Sequence, residues 1–153
     1  MENSMPCGSA GPENSGHKGK PMKEEPIQTV SIQNRSDIMK TRMQVRTLAR
    51  QAGFDPLDQA RISLATSTVA AIMEIERAKE AKIKISYLYN GKREGMQVTC
   101  TKKGDPPHDM ASGVLDDARR MVDDLIVEIL PQEGVKITVR KWGAKKRTSS
   151  LQD

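Results

Sequence analysis

The stretch "KIKISYLYNGKREGMQVTC", Lys82 to Cys100, alternates apolar and polar residues on both sides of one turn signal. Ile83, Ile85, Tyr87 and Tyr89 fall on one side of a period-two pattern, and Lys82, Lys84, Ser86 and Leu88 fall on the side expected to face mostly water. Asn90-Gly91 tolerates the positive φ values of a tight hairpin turn, Lys92 to Gly95 extend the loop, and Met96, Val98 and Cys100 alternate along the return strand. Two antiparallel strands with one apolar face each are therefore expected. Such strands need a helical layer on one side only.

Upstream of the hairpin, Ile62, Ala65, Val69, Ile72 and Met73 recur at helical spacing within residues 58 to 81, the stripe of a helix packed on one face and entered through Asp55-Pro56. Before it, Ser36 is expected to cap a helix whose apolar surface comes from Ile38, Met39, Met43, Val45 and Leu48, and which stops at Gly53. Thr29 to Gln33 alternates like a strand. Downstream, a polar loop over 101–110 leads to a third helix with Leu115, Ala118, Val122, Leu125 and Ile129 on one side, ended by Pro131 and Gly134. Val135, Ile137 and Val139 form the closing strand. The order β-α-α-β-β-α-β predicts an α/β (α+β) two-layer sandwich, one mixed sheet of about four strands covered on one face by three helices.

A chain of 153 residues suits one hydrophobic core. Residues 1–27 hold four of the eight prolines and almost no bulky apolar side chains, so they are expected to form a disordered leader. The domain is expected over 28–143, followed by a basic flexible tail over 144–153. No apolar run approaches the roughly 20 residues that cross a bilayer, and no secretory signal opens the chain, so no membrane partner and a cytoplasmic location are expected. Cys7 and Cys100 lie in unrelated contexts, and His17 and His108 lack ligands at metal spacing, so neither a disulfide nor a metal site is expected. The formal charge of +5 raises nucleic acid as a partner. Against it, the densest cluster, Lys141, Lys145, Lys146 and Arg147, falls at or beyond the last strand, and only Phe54, Tyr87, Tyr89 and Trp142 offer stacking surfaces.

The segment "ARQAGFDPLDQARISLATS", together with "VKITVRKW" and the order of elements, resembles the RsbT/RsbW-like anti-sigma regulatory serine kinases, most closely the switch-protein kinase type, within the GHKL (histidine-kinase-like) ATPases. The resemblance spans about 28 to 142. It implies a two-layer sandwich with ATP and magnesium between helices and sheet, and phosphorylation of a serine on a STAS-domain partner.

Set against that family, the site residues are missing. Its paired Glu and Asn, one helical turn apart, fall here on Thr68 and Ile72. A threonine hydroxyl is no general base near neutral pH, and isoleucine offers no oxygen to a hard cation. No other register restores the pair, since residues 58 to 81 contain no Asn. The family's Asp-x-Gly-x-Gly corresponds to "KKGDPP", with Lys102 at the adenine-reading Asp, Gly104 kept, and Pro106 at the second glycine. Of the glycine-rich phosphate lid only Gly113 remains. The resemblance thus implies a transcription-regulatory, signal-transducing binding module of the anti-sigma type, a pseudoenzyme without catalytic residues, metal or cofactor. Its partner would be a STAS-domain antagonist, a PP2C-type phosphatase or a sigma factor, with a homodimer also compatible. Partner contacts would fall at Thr68, Ile72, Lys102, His108 and Trp142. The alternative is an ATP-dependent protein serine kinase with an atypical site that uses ATP and magnesium.

Overall fold

The computed structural model describes residues 22–75, 78, 80–104, 113, 115–131 and 133–143. Among the described residues, five strands and three helices follow one another as β1 (Lys23–Ser31), α1 (Arg35–Gln51), α2 (Pro56–Ile72), β2 (Ala81–Tyr89), β3 (Glu94–Lys102), α3 (Asp116–Met121), β4 (Asp124–Leu130) and β5 (Gly134–Trp142). The strands form one sheet in the order β1-β2-β3-β5-β4, with every neighbouring pair antiparallel. The α+β architecture and the expected order hold. The sheet has five strands instead of four and is antiparallel instead of mixed, because the chain leaves β3, skips one position to lay down β4, and folds β5 into the gap.

The extra strand comes from the segment read as the end of the third helix. Leu125 and Ile129 satisfy a helical period after Leu115, Ala118 and Val122, but Leu125, Val127 and Ile129 equally satisfy a period of two. Pairing decides between them. Seven residues of β4 complete a ladder on β5, and that ladder satisfies backbone groups which a helix leaving the sheet would have left open on β5. Helix α3 shrinks to six residues.

Helix α1 begins one residue earlier than its expected cap, because the Asn34 side chain, not that of Ser36, accepts the Asp37 N–H at 3.0 Å. It buries Ile38, Thr41, Val45 and Ala49 and leaves Met39 and Met43 in solvent, so two of its presumed core residues belong to the surface. Helix α2 starts as its sequence dictates, with Asp55 capping the Asp58 N–H at 2.9 Å and Pro56 in the first turn. It ends at Ile72, nine residues short of the expected Ala81, where Glu74 adopts a positive φ of 54° and turns the chain. Strand β1 starts at Lys23, so residues 23–27, assigned by composition to the leader, belong to the sheet. Glu24 there accepts the Ser86 hydroxyl at 2.8 Å and lies 3.4 Å from the Lys84 ammonium. Residues 1–21 and the tail from 144 lie outside the described residues.

The core sits between the helices and the inner face of the sheet, where Ile62, Val69 and Met73 meet Ile83, Ile85, Val98 and Ile137. Cys100 lies within it, fully buried, and that burial pushes its thiol up to about 12. At pH 8 the thiolate fraction is then only roughly one in ten thousand. In a Cys7→Ser chain, native protein at pH 8 should therefore resist iodoacetamide and become alkylated only after denaturation, as followed by intact mass.

The outer sheet face is not uniformly wet. Leu88 and Ser86, expected in water, are buried. Leu88, Gly95 and Trp142 stand in register across β2, β3 and β5. The absence of a side chain at Gly95 lets the Trp142 ring lie over the strand: a Cβ there would come within 2.8 Å of the indole Cε3.

Candidate functional site

Thr68 and Ile72 lie one turn apart near the C-terminal end of α2, as their spacing requires, and both are half-buried. Ile72 packs against the hydrophobic core. Lys102 ends β3, buried, with Ala81 opposite it on one side and Val135 on the other. Among the described residues it makes no ion pair. Gly104 follows with a φ of +108° in open space, and Gly113, at +83°, precedes α3. Pro106 and His108 lie outside the described residues.

The structure separates Trp142 from this group. It pairs with Gly95, seven residues along β3 from Lys102, which places it roughly 23 Å away at the opposite end of the sheet. It also stands on the outer face, while Lys102 shares the inner-face parity of Cys100 and Val98. Trp142 therefore shares no mouth with Thr68 and Ile72.

The remaining polar groups of α2 serve the fold. Its one carboxylate, Asp58, and its one amide, Gln59, are buried in the first turn, far along the helix from Ile72. Gln59 Nε2 donates to the Phe54 carbonyl at 2.9 Å. Asp58 lies 3.4 Å from Lys141 Nζ, with the two side chains only 8% and 11% exposed, and 3.7 Å from Arg61. Lys141, grouped by sequence with the basic tail, is thus an inward-facing strand residue that ties α2 to β5. A signal for it was available, since Lys141 continues the inward alternation of Val135, Ile137 and Val139. The "GFDPLDQARI" segment accordingly serves as a joint: Asp55 caps, Gln59 holds the loop, Asp58 reaches the sheet, and Phe54 packs beside Gly143.

No metal-binding group of three or more His, Cys, Asp or Glu exists among the described residues. A cleft of about 530 Å³ opens elsewhere, between the end of α1 and the ends of β1, β2 and β3, with Gln51, Lys23, Glu25, Tyr87, Tyr89 and Glu94 in its wall. Burial first, then the carboxylates of Glu25 and Glu94, push the Tyr87 phenol above its ordinary range, so it stays a protonated donor at neutral pH. Sequence reading missed this cleft because α1 and β1 meet β3 there only through tertiary packing. Its wall carries both signs of charge, and of the described residues expected at a site, Thr68, Ile72, Lys102, Gly104, Gly113 and Trp142, none lines it.

No protein-family model matches the chain, and no curated protein matches it either. Among the described residues, no helix is long and apolar enough to cross a membrane.

Proposed function

We propose that this chain is a regulatory protein-binding module built on a degenerate scaffold of the anti-sigma serine-kinase type, acting by docking and without ATP chemistry. The partner on this reading is a STAS-domain antagonist, a PP2C-type phosphatase or a sigma factor. The observation that carries it is Ile72, packed on the core at the position where the resemblance calls for a magnesium-holding Asn, on a helix whose only carboxylate and amide are engaged in structure. A hard cation and its triphosphate need several converging oxygens and donors. The side chains at Thr68, Ile72 and Lys102 supply one hydroxyl, one hydrocarbon and one ammonium.

Calorimetric titration with ATP and magnesium should show no binding tighter than about 1 mM, equivalent to roughly 4 kcal/mol. Micromolar, magnesium-dependent binding would overturn the reading in favour of the kinase. Ile72→Asn should lower stability by about 1 kcal/mol, because it sets an amide against apolar neighbours at a half-buried position, and should create no nucleotide affinity. Urea denaturation of the single mutant and ATP titration of the Thr68→Glu, Ile72→Asn pair test this directly; ATP binding by the pair would show a pocket still open beneath the substitutions.

A further inference from the structure

Helix α2 carries little charge on its solvent side, where Leu57 is 57% exposed and Leu64 42% exposed. It packs beside α1, to which a four-residue connection over 52–55 joins it, so the two form an antiparallel helical hairpin. On α1, Met39 and Met43 are 52% and 66% exposed. By helical spacing Met39 falls on one stripe of α1 with Arg46 and Arg50, and Leu57 and Leu64 fall on one stripe of α2, while Met43 lines a pocket with Gln28 of β1. Single exposed leucines need no explanation, but a group of this kind rimmed by charge marks an interaction surface.

The charge around them is mainly basic, with the exposed Asp55 two residues before Leu57 and the exposed Glu74 two residues beyond the end of α2. Helix α1 contains Lys40, Arg42, Arg46 and Arg50 beyond its first residue, against Asp37 alone. Asp37 is engaged at the helix start, where it accepts the Gln33 N–H at 2.8 Å. The only carboxylate of α2, Asp58, is buried against Lys141. Among the described residues, no carboxylate pairs with Lys40, Arg46 or Arg50, all of which are exposed. The sequence assigns its basic character to the C-terminal tail, whereas the structure also gathers Lys40, Arg46 and Arg50 in solvent here.

We propose that the outer face of the α1–α2 layer docks an acidic, amphipathic helical segment of a protein partner, its apolar side chains on Met39, Leu57 and Leu64 and its carboxylates on Arg46 and Arg50. Methionine and arginine are enriched in protein interfaces, and this face combines both. A nucleic-acid site would place stacking aromatics among the cations, and a membrane-surface helix would place Trp or Phe there; this face carries neither. The proposal rests on the binding-module reading and moves its contact surface from the Thr68–Ile72 mouth to the outside of the helical layer. Nucleotide titration and the docking experiment report separately, so either can fail alone.

The test uses the full chain and a fluorescent synthetic peptide about five helical turns long, with Leu at i, i+3, i+4 and i+7 and Glu elsewhere. Controls are the same peptide with Lys for Glu, vesicles of phosphatidylcholine with phosphatidylserine, and a short DNA duplex. Anisotropy should show saturable binding of the acidic peptide that weakens with salt, and no binding of the Lys peptide. Both Arg46→Glu with Arg50→Glu and Leu57→Ser with Leu64→Ser should weaken it about tenfold or more while leaving the melting temperature nearly unchanged. The proposal is overturned by failure to bind the acidic peptide, by indifference to the leucine pair, or by tighter binding to the vesicles or the duplex.

Discussion

Gly134→Ala is expected to lower stability by about 4 kcal/mol or more. Gly134 opens β5 with a φ of +134°, a conformation that side chains rarely adopt. A Cβ there would overlap the Lys102 carbonyl oxygen and lie 2.9 Å from the Lys103 Cα, and both obstacles are backbone that cannot rotate away. The strain would fall on the start of the β3–β5 ladder, which joins the hairpin to the rest of the sheet. Gly91→Ala supplies the control. Gly91 also has a positive φ, +94°, but nothing stands within 4 Å of its absent Cβ, so that change should cost only about 1 kcal/mol through backbone strain. Urea denaturation of the two variants separates strain from overlap. Similar midpoints for both would mean that β5 can shift away from Lys102.

Lys141→Met is expected to cost about 3 kcal/mol, because it leaves the Asp58 carboxylate buried with only Arg61 at 3.7 Å to balance it. The same figure is expected for Asp58→Leu, which strands the Lys141 ammonium. The double variant should recover a large part of both losses, since exchanging a buried ion pair for apolar groups of similar size is often neutral. A double-mutant cycle in urea measures the coupling. If the three variants were additive, the pair would be only a close approach, and the α2–β5 joint would rest on packing alone.

How much of this was legible in sequence differs from element to element. The strands and turn of the β2–β3 hairpin were legible, because period-two alternation and Asn90-Gly91 are local signals. The start of α2 was equally plain from Asp55-Pro56. The β4 strand was not, since Leu125 and Ile129 satisfy two periods at once and the choice depends on a ladder to β5 that no local window contains. Leu88 was misplaced because its burial comes from the register that sets Gly95 and Trp142 beside it, across two other strands. Met39 and Met43 were read as core because hydropathy counts an apolar residue without knowing which side of its helix meets the sheet.

The candidate site divides in the same way. That Thr68 and Ile72 lie one turn apart, and that residues 58 to 81 hold no Asn to complete a Glu/Asn pair, is a property of the sequence. The sequence alone also determined the two-layer α+β class, since strands with a single apolar face and amphipathic helices leave few other ways to bury both. Only the tertiary structure decided that Asp58 is paired with Lys141, that Trp142 stands at the far end of the sheet from Lys102, and that Met39, Leu57 and Leu64 are left exposed on helices with a basic rim. Each of these depends on two elements distant in sequence meeting at a particular register, and the free energy of that meeting is distributed over the whole core, where no single stretch of residues records it.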